Sequence, residues 1–182
     1  MKIARLFLIA SLFCALVPSG FARDPLELPP HLSSAKLQGS GRLTWWGLHI
    51  YDASFYRVGS LASPEFALDM RYQKSFSGTS IANRSVEEMK RIGVPDAQAA
   101  AWGRELTAFL PNVESGQTLT AIYSLKQGTT FYFDGRQIAQ IPGADFSKAF
   151  FGIWLDPKTS APKLRTELLG QSCPPPLFTE AC

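Results

Sequence analysis

The sequence predicts an α+β fold in which an antiparallel sheet carries packed helices. Strand-like segments come in two groups, each followed by a pair of amphipathic helical segments, an order that favours antiparallel pairing over βαβ repeats. Asp134-Gly135 lies between the strand-like runs 129–133 and 136–141 as the two-residue signal of a type I′ hairpin. Phe146, Ala149, Phe150, Ile153 and Trp154 recur at offsets 0, 3, 4, 7 and 8, which draws one wide apolar stripe along a helix.

From residue 37 to 58 the chain is rich in β-branched and aromatic residues, and Gly47 divides the run into two strands. On the second, Leu48, Ile50, Asp52, Ser54, Tyr56 and Val58 face one way while His49, Tyr51, Ala53, Phe55 and Arg57 face the other. Both faces carry apolar groups, so this strand is expected between layers. Phe66, Leu68, Met70 and Tyr72 alternate with Ala67, Asp69, Arg71 and Gln73 in a third strand. Ser85 and Glu88 match a capping box and predict a helix starting there, ended by Gly93 and Pro95. Trp102, Leu106, Phe109 and Leu110 mark the next helix, from about Asp96, with Pro111 as its stop. Residues 118–125 alternate as a further strand before the Asp134-Gly135 hairpin. Asp145 is the expected N-cap of the striped helix. A last, shorter helix carries Leu164, Leu168 and Leu169, with Ser160 and Pro162 to open it and Gly170 to close it.

The ends read differently from this domain. Lys2 and Arg5 precede an apolar run over residues 6–17, and Gly20 and Ala22 offer small residues at a cleavage site, so residues 1–22 read as a secretory signal cut before Arg23. The run is shorter than the roughly 20 apolar residues of a membrane span, and no other segment is long and apolar enough. Residues 23–36 form a Pro-rich extended arm, residues 37–170 a single domain, and residues 171–182 a Pro-rich tail. The expected location is the periplasm or the cell exterior. Loss of Lys2 and Arg5 with the signal takes a net charge of +3 close to neutrality, which gives no electrostatic case for nucleic acid. Cys14 leaves with the signal, and Cys173 and Cys182 are then expected to form a disulfide in an oxidising compartment.

Catalytic signatures are sparse. His31 lies in the Pro-rich arm and His49 in a strand, neither at a recognisable spacing from a nucleophile. Two cysteines in the tail supply too few ligands for zinc, and Gly39-Ser40-Gly41 precedes a strand rather than the helix that a phosphate-binding loop needs. No metal or cofactor is expected. Glu87 and Glu88 read as first-turn residues complementing a helix dipole, and Asp52 as a hydrogen-bonded or exposed acid within an apolar strand. What remains is a set of cations and phenols near apolar strands: Arg42, Tyr51, Tyr56, Tyr72 and Arg84. A guanidinium fork matches a carboxylate or an enolate oxygen, and a phenol can donate a supporting hydrogen bond.

Several pieces in order resemble the chalcone isomerase-like family, in particular its secreted bacterial branch. They are Gly39-Ser40-Gly41-Arg42-Leu43, Ile50-Tyr51-Asp52-Ala53 with Phe55-Tyr56, residues 85–93 (SVEEMKRIG), Trp102, Phe109-Leu110-Pro111, Gly116, Phe131, Phe133-Asp134-Gly135 and residues 146–170. The resemblance implies an open-faced β-sandwich: a large antiparallel sheet with helices on one face, and a smaller set of strands completing a ligand cleft. The family includes enzymes that close chalcones to flavanones and relatives that bind fatty acids. In the enzymes an Arg after the Gly-rich turn, a Thr in the next strand, and a Tyr, Lys and Asn around the third strand and first helix organise the substrate. Here Arg42 matches the Arg, the Thr position falls on or near Tyr51, and Ile81, Arg84 and Glu88 stand at the Tyr, Lys and Asn positions. Ile cannot donate a hydrogen bond to a developing enolate oxygen. The reading is a non-catalytic binder of a small amphipathic ligand such as a fatty acid, with Arg42, Tyr51, Tyr56 and Arg84 as ligand-binding residues. Two alternatives stay open: an isomerase or lyase acting on an enone-like substrate through oxyanion stabilisation, and an envelope protein-interaction module.

Overall fold

A computed structural model describes residues 35–58 and 64–178. The signal segment at 1–22, most of the arm at 23–36, and Cys182 lie outside the described residues. Six strands, β1 (Ala35–Trp45), β2 (Leu48–Val58), β3 (Phe66–Tyr72), β4 (Thr118–Ser124), β5 (Gly128–Phe133) and β6 (Arg136–Ile141), pair antiparallel in sequence order as one sheet. Helices α1 (Gly78–Arg91) and α2 (Asp96–Phe109) lie between β3 and β4 in the chain, and α3 (Ala144–Leu155) and α4 (Pro162–Leu169) follow β6. The α+β architecture expected from the sequence is present. Among the described residues every strand belongs to this sheet, so the smaller second set of strands implied by the resemblance is not among them.

Strand alternation divides the residues between two faces. Phe55, Phe66, Leu68, Tyr72, Ala121 and Phe131 point to the helices and join apolar residues of all four in one core. Aromatic rings dominate it: Phe66 meets Phe151 edge-on at 4.7 Å between centroids, and Phe131 meets Phe150 at 5.0 Å. Edge-to-face pairs of this kind add roughly 0.5–1.5 kcal/mol each beyond their burial. The opposite face holds a smaller cluster of Tyr56, Ala67, Ile122 and Tyr132.

Local chemistry explains the connections. Asp134 and Gly135 have φ of 45° and 78°, as a type I′ turn requires, and Asp134 Oδ1 accepts from the Thr118 amide at 2.8 Å. Trp46 and Gly47 repeat the positive-φ pair, at 50° and 76°, so the break expected at Gly47 is a second tight hairpin. The Gly39-Ser40-Gly41 run serves packing: α4 crosses β1 so closely that a Cβ at Gly39 would collide with the carbonyl oxygens of Glu167 and Leu168. Gln38 Nε2 donates to the Leu169 carbonyl at 3.0 Å in the same contact.

Three local expectations are corrected. The first helix begins at Gly78, not Ser85, because Ser77 is its cap and accepts from the Ser80 amide at 3.1 Å. Ser85 and Glu88 therefore lie inside α1; the Ser85 hydroxyl donates back to the Ile81 carbonyl at 2.9 Å, and neither Glu87 nor Glu88 is a first-turn acid. In α3 the cap position is Gly143, which leaves Asp145 in the first turn, where its charge suits the helix dipole.

Candidate functional site

A cavity of about 620 Å³ opens between the helix-facing side of the sheet and helices α1 and α3, within the size range of small-molecule sites. Its walls are mainly apolar: Leu43, Ile50, Met70, Phe76, Ile81, Leu110, Leu119, Phe131, Phe150 and Ile153. Its polar lining includes Tyr51 and Tyr72 from the sheet, Trp154 from α3, and Arg84, Ser85, Glu88 and Arg91 from α1. The α1 residues follow from helical geometry. Ile81, Arg84, Ser85, Glu88 and Arg91 sit at offsets 0, 3, 4, 7 and 10, so a helix running from Gly78 turns them to one side.

The polar groups are tied together. Trp154 Nε1 donates to the Tyr51 hydroxyl at 2.8 Å; an indole N–H has no acceptor lone pair, so the phenol proton of Tyr51 remains free to be donated. Tyr51 and Tyr72 meet edge-on at 5.5 Å. Arg84 donates to Glu88, and at 3.1 Å to Glu87, while Arg91 Nε lies 3.4 Å from the other Glu88 oxygen. Glu88 is buried; Arg84 and Arg91 are half-exposed. Glu88 lies between the two guanidinium groups and Glu87 pairs with Arg84 as well, so the formal charges balance and what this end of the cavity offers is a set of hydrogen-bond donors. Burial pushes the Tyr51 phenol well above its ordinary value, outweighing the Trp154 hydrogen bond, and the nearby Glu88 adds to the rise while Arg84 opposes it. Burial, then the neighbouring Tyr51, raises Tyr72 likewise. Both phenols are neutral hydrogen-bonding groups at physiological pH rather than bases.

The structure separates the four residues grouped from the sequence. Tyr51 and Arg84 line the cavity. Arg42 and Tyr56 do not, because alternation sends them to the opposite face: Arg42 is registered against Asp52 and Tyr56 against Ala67. Arg42 Nε lies 3.4 Å from Asp52 Oδ1, which also takes His49 Nε2 at 2.9 Å, and Gln73 Nε2 donates to Asp52 Oδ2 at 3.0 Å. Arg84, expected just before a helix, lies within α1. Glu88, Arg91 and Trp154 were missed as site residues; the α1 spacing would have marked the first two once the helix start was placed at Gly78. Among the described residues no three His, Cys, Asp or Glu side chains gather as a metal site, and no helix is long and apolar enough to cross a membrane.

Fold and cavity together define an α+β protein with one helix-covered sheet face and an apolar chamber whose charged corner is built from α1. The chain belongs to the chalcone isomerase-like family, whose model matches residues 31–170. It is 27% identical over 137 residues to an uncharacterized protein of Haemophilus influenzae, an alignment covering 74% of this chain and 67% of that one. The crystal structure of an Arabidopsis thaliana fatty-acid binding protein, AtFAP1, superposes with a TM-score of 0.59 at 11% identity, covering 78% of this chain and 94% of the other. That likeness is one of fold.

Proposed function

We propose that the chain binds a small amphipathic molecule with an acidic head, such as a fatty acid, with the tail among the apolar walls and the head at Arg84 and the Tyr51 hydroxyl. The observation that carries this reading is the segregation within one cavity: apolar residues from sheet and helices form most of the wall, and hydrogen-bond donors, the guanidinium groups of Arg84 and Arg91 among them, collect beside α1. A charge-assisted hydrogen bond contributes about 1.5–3 kcal/mol, or roughly tenfold to a hundredfold in affinity. Binding is favoured over enone cyclisation because Ile81 supplies no hydrogen-bond donor where the resemblance implies a Tyr. The fold shared with a fatty-acid binding protein is consistent with this choice.

The protein acts in the periplasm or outside the cell after removal of its signal, with Cys173 paired to Cys182; the second cysteine lies outside the described residues. Intact mass before and after reduction of exported protein tests the pairing, and a missing gain of two hydrogens rejects it. The binding reading is tested by native mass spectrometry of exported protein, followed by extraction of anything bound. A stoichiometric acidic amphiphile is the expected result. Protein that carries nothing and shows no saturable uptake of added fatty acids contradicts it, and turnover of an enone lost in Arg84→Gln replaces it with the isomerase reading.

A further inference from the structure

The β1–β2 hairpin ends in an exposed apolar cluster that neither the core nor the cavity explains. Trp46 is 87% exposed, Trp45 60% and Leu48 55%. Trp46 also occupies the first positive-φ position of the turn, at 50°, where Asn, Asp or Gly is the residue of choice. A Trp held there is placed for contact rather than for the turn. Trp45 continues inward from the tip as part of the cavity lining, beside Leu43 and Thr44, so the cluster borders the cavity. Cations stand along the strands that lead to it: Arg42 lies three residues before Trp45, Lys74 follows Gln73, whose amide bonds the Ile50 carbonyl, and Arg71 is registered across from Asp52. Asp52, paired with Arg42, offsets one of these three cations, so the group carries a net positive charge.

We infer that this hairpin tip docks on an anionic phospholipid surface, with Trp46 and Leu48 entering the headgroup region and Arg42, Arg71 and Lys74 facing the lipid phosphates. Indole rings favour the membrane–water interface, where an apolar body and a polar N–H are both accommodated. Basic residues near the surface add attraction that is screened by salt. The docked orientation presents the Trp45 side of the cavity to the bilayer. The inference stands apart from the identity of the cavity ligand, since Trp46 and Leu48, which enter the headgroup region, do not line the cavity.

The test is co-sedimentation of the exported protein with vesicles of phosphatidylethanolamine and phosphatidylglycerol, with vesicles of phosphatidylcholine for comparison, and tryptophan emission recorded alongside. Binding to the phosphatidylglycerol vesicles with a blue shift is expected, weakened by salt and weaker on phosphatidylcholine. Trp46→Asn/Leu48→Thr is expected to lower vesicle affinity by about tenfold or more, because buried apolar area sets interfacial binding. Its thermal stability should be unchanged or higher, since Asn suits the turn. Absence of vesicle binding, or equal binding by the double variant, overturns the inference. So does a dimer in light scattering that the double variant dissolves while neither protein binds vesicles, which assigns the tip to self-association.

Discussion

The two faces of the sheet are made by the same strands and do different work. Along β2, Tyr51 points to the helices, accepts a hydrogen bond from Trp154 and borders the cavity; its neighbour Asp52 points away and gathers His49, Gln73 and Arg42 in partial contact with water. The helix-covered face is a continuous aromatic core, whereas the other carries a compact cluster around Tyr56 and Tyr132 with polar groups beside it, such as Thr120, which donates to Asp69 at 2.6 Å. Residue type alone does not separate a ligand-binding cation from a structural one. Register does, because a step of one residue moves a side chain from one layer to the other.

The contrast is broken most severely by opening the covered face. Phe151 is fully buried and packs on Phe66 and Phe150, so Phe151→Ala should lower unfolding free energy by about 3–5 kcal/mol in urea titration. A loss below about 1 kcal/mol would mean that the helix layer is not packed as described. Next is Tyr51→Phe, which strands the buried Trp154 N–H and should cost about 1–3 kcal/mol in the same assay. Full retention of stability would show that this hydrogen bond does not matter to the fold.

The alkaline limb sharpens the comparison without a mutation. Tyr51 and Tyr72 have phenols raised by burial, so the unfolded chain releases these protons first. Their contribution is fully present below the ordinary tyrosine value near pH 10 and is lost as pH rises beyond it toward the raised native values. Urea midpoints should fall between about pH 9 and about pH 11, with part of the phenolate absorbance appearing only on unfolding. Complete ionisation near pH 10 with the native fold intact would contradict the burial of this corner. The smallest effect belongs to the open face: Arg42 is exposed and pairs with a partly exposed Asp52, and Arg42→Gln should change stability by less than about 1 kcal/mol in the urea assay. A larger loss would reveal that this cluster holds the sheet edge.

Much of the fold was legible in the sequence because it rests on local signals. Asp134-Gly135 specifies its turn by φ alone, and the Phe146 to Trp154 stripe needs a partner surface but no particular one. The start of α1 was hidden: Gly78 to Arg84 carries little apolar periodicity, and Ser85 with Glu88 imitates a capping box although both side chains are engaged inside the helix, with Ile81 and Arg84. That seven-residue displacement concealed the cavity-facing row of α1. Tyr51 was legible as a candidate, but its partner Trp154 stands 103 residues away and only tertiary packing joins them. Arg42 was chosen for its place after a Gly-rich turn; β2 alternation already put Tyr51 and Asp52 on opposite faces, and the missing step was the β1 register that pairs Arg42 with Asp52.

The most direct test of the account is calorimetric titration of a fatty acid into the wild-type protein, Arg84→Gln and Arg42→Gln under one condition. Saturable binding that weakens about tenfold to a hundredfold in Arg84→Gln, and stays within about twofold of wild type in Arg42→Gln, is the predicted result. The reverse pattern, with affinity lost at Arg42 and kept at Arg84, would contradict the assignment of the cavity beside α1 as the binding site.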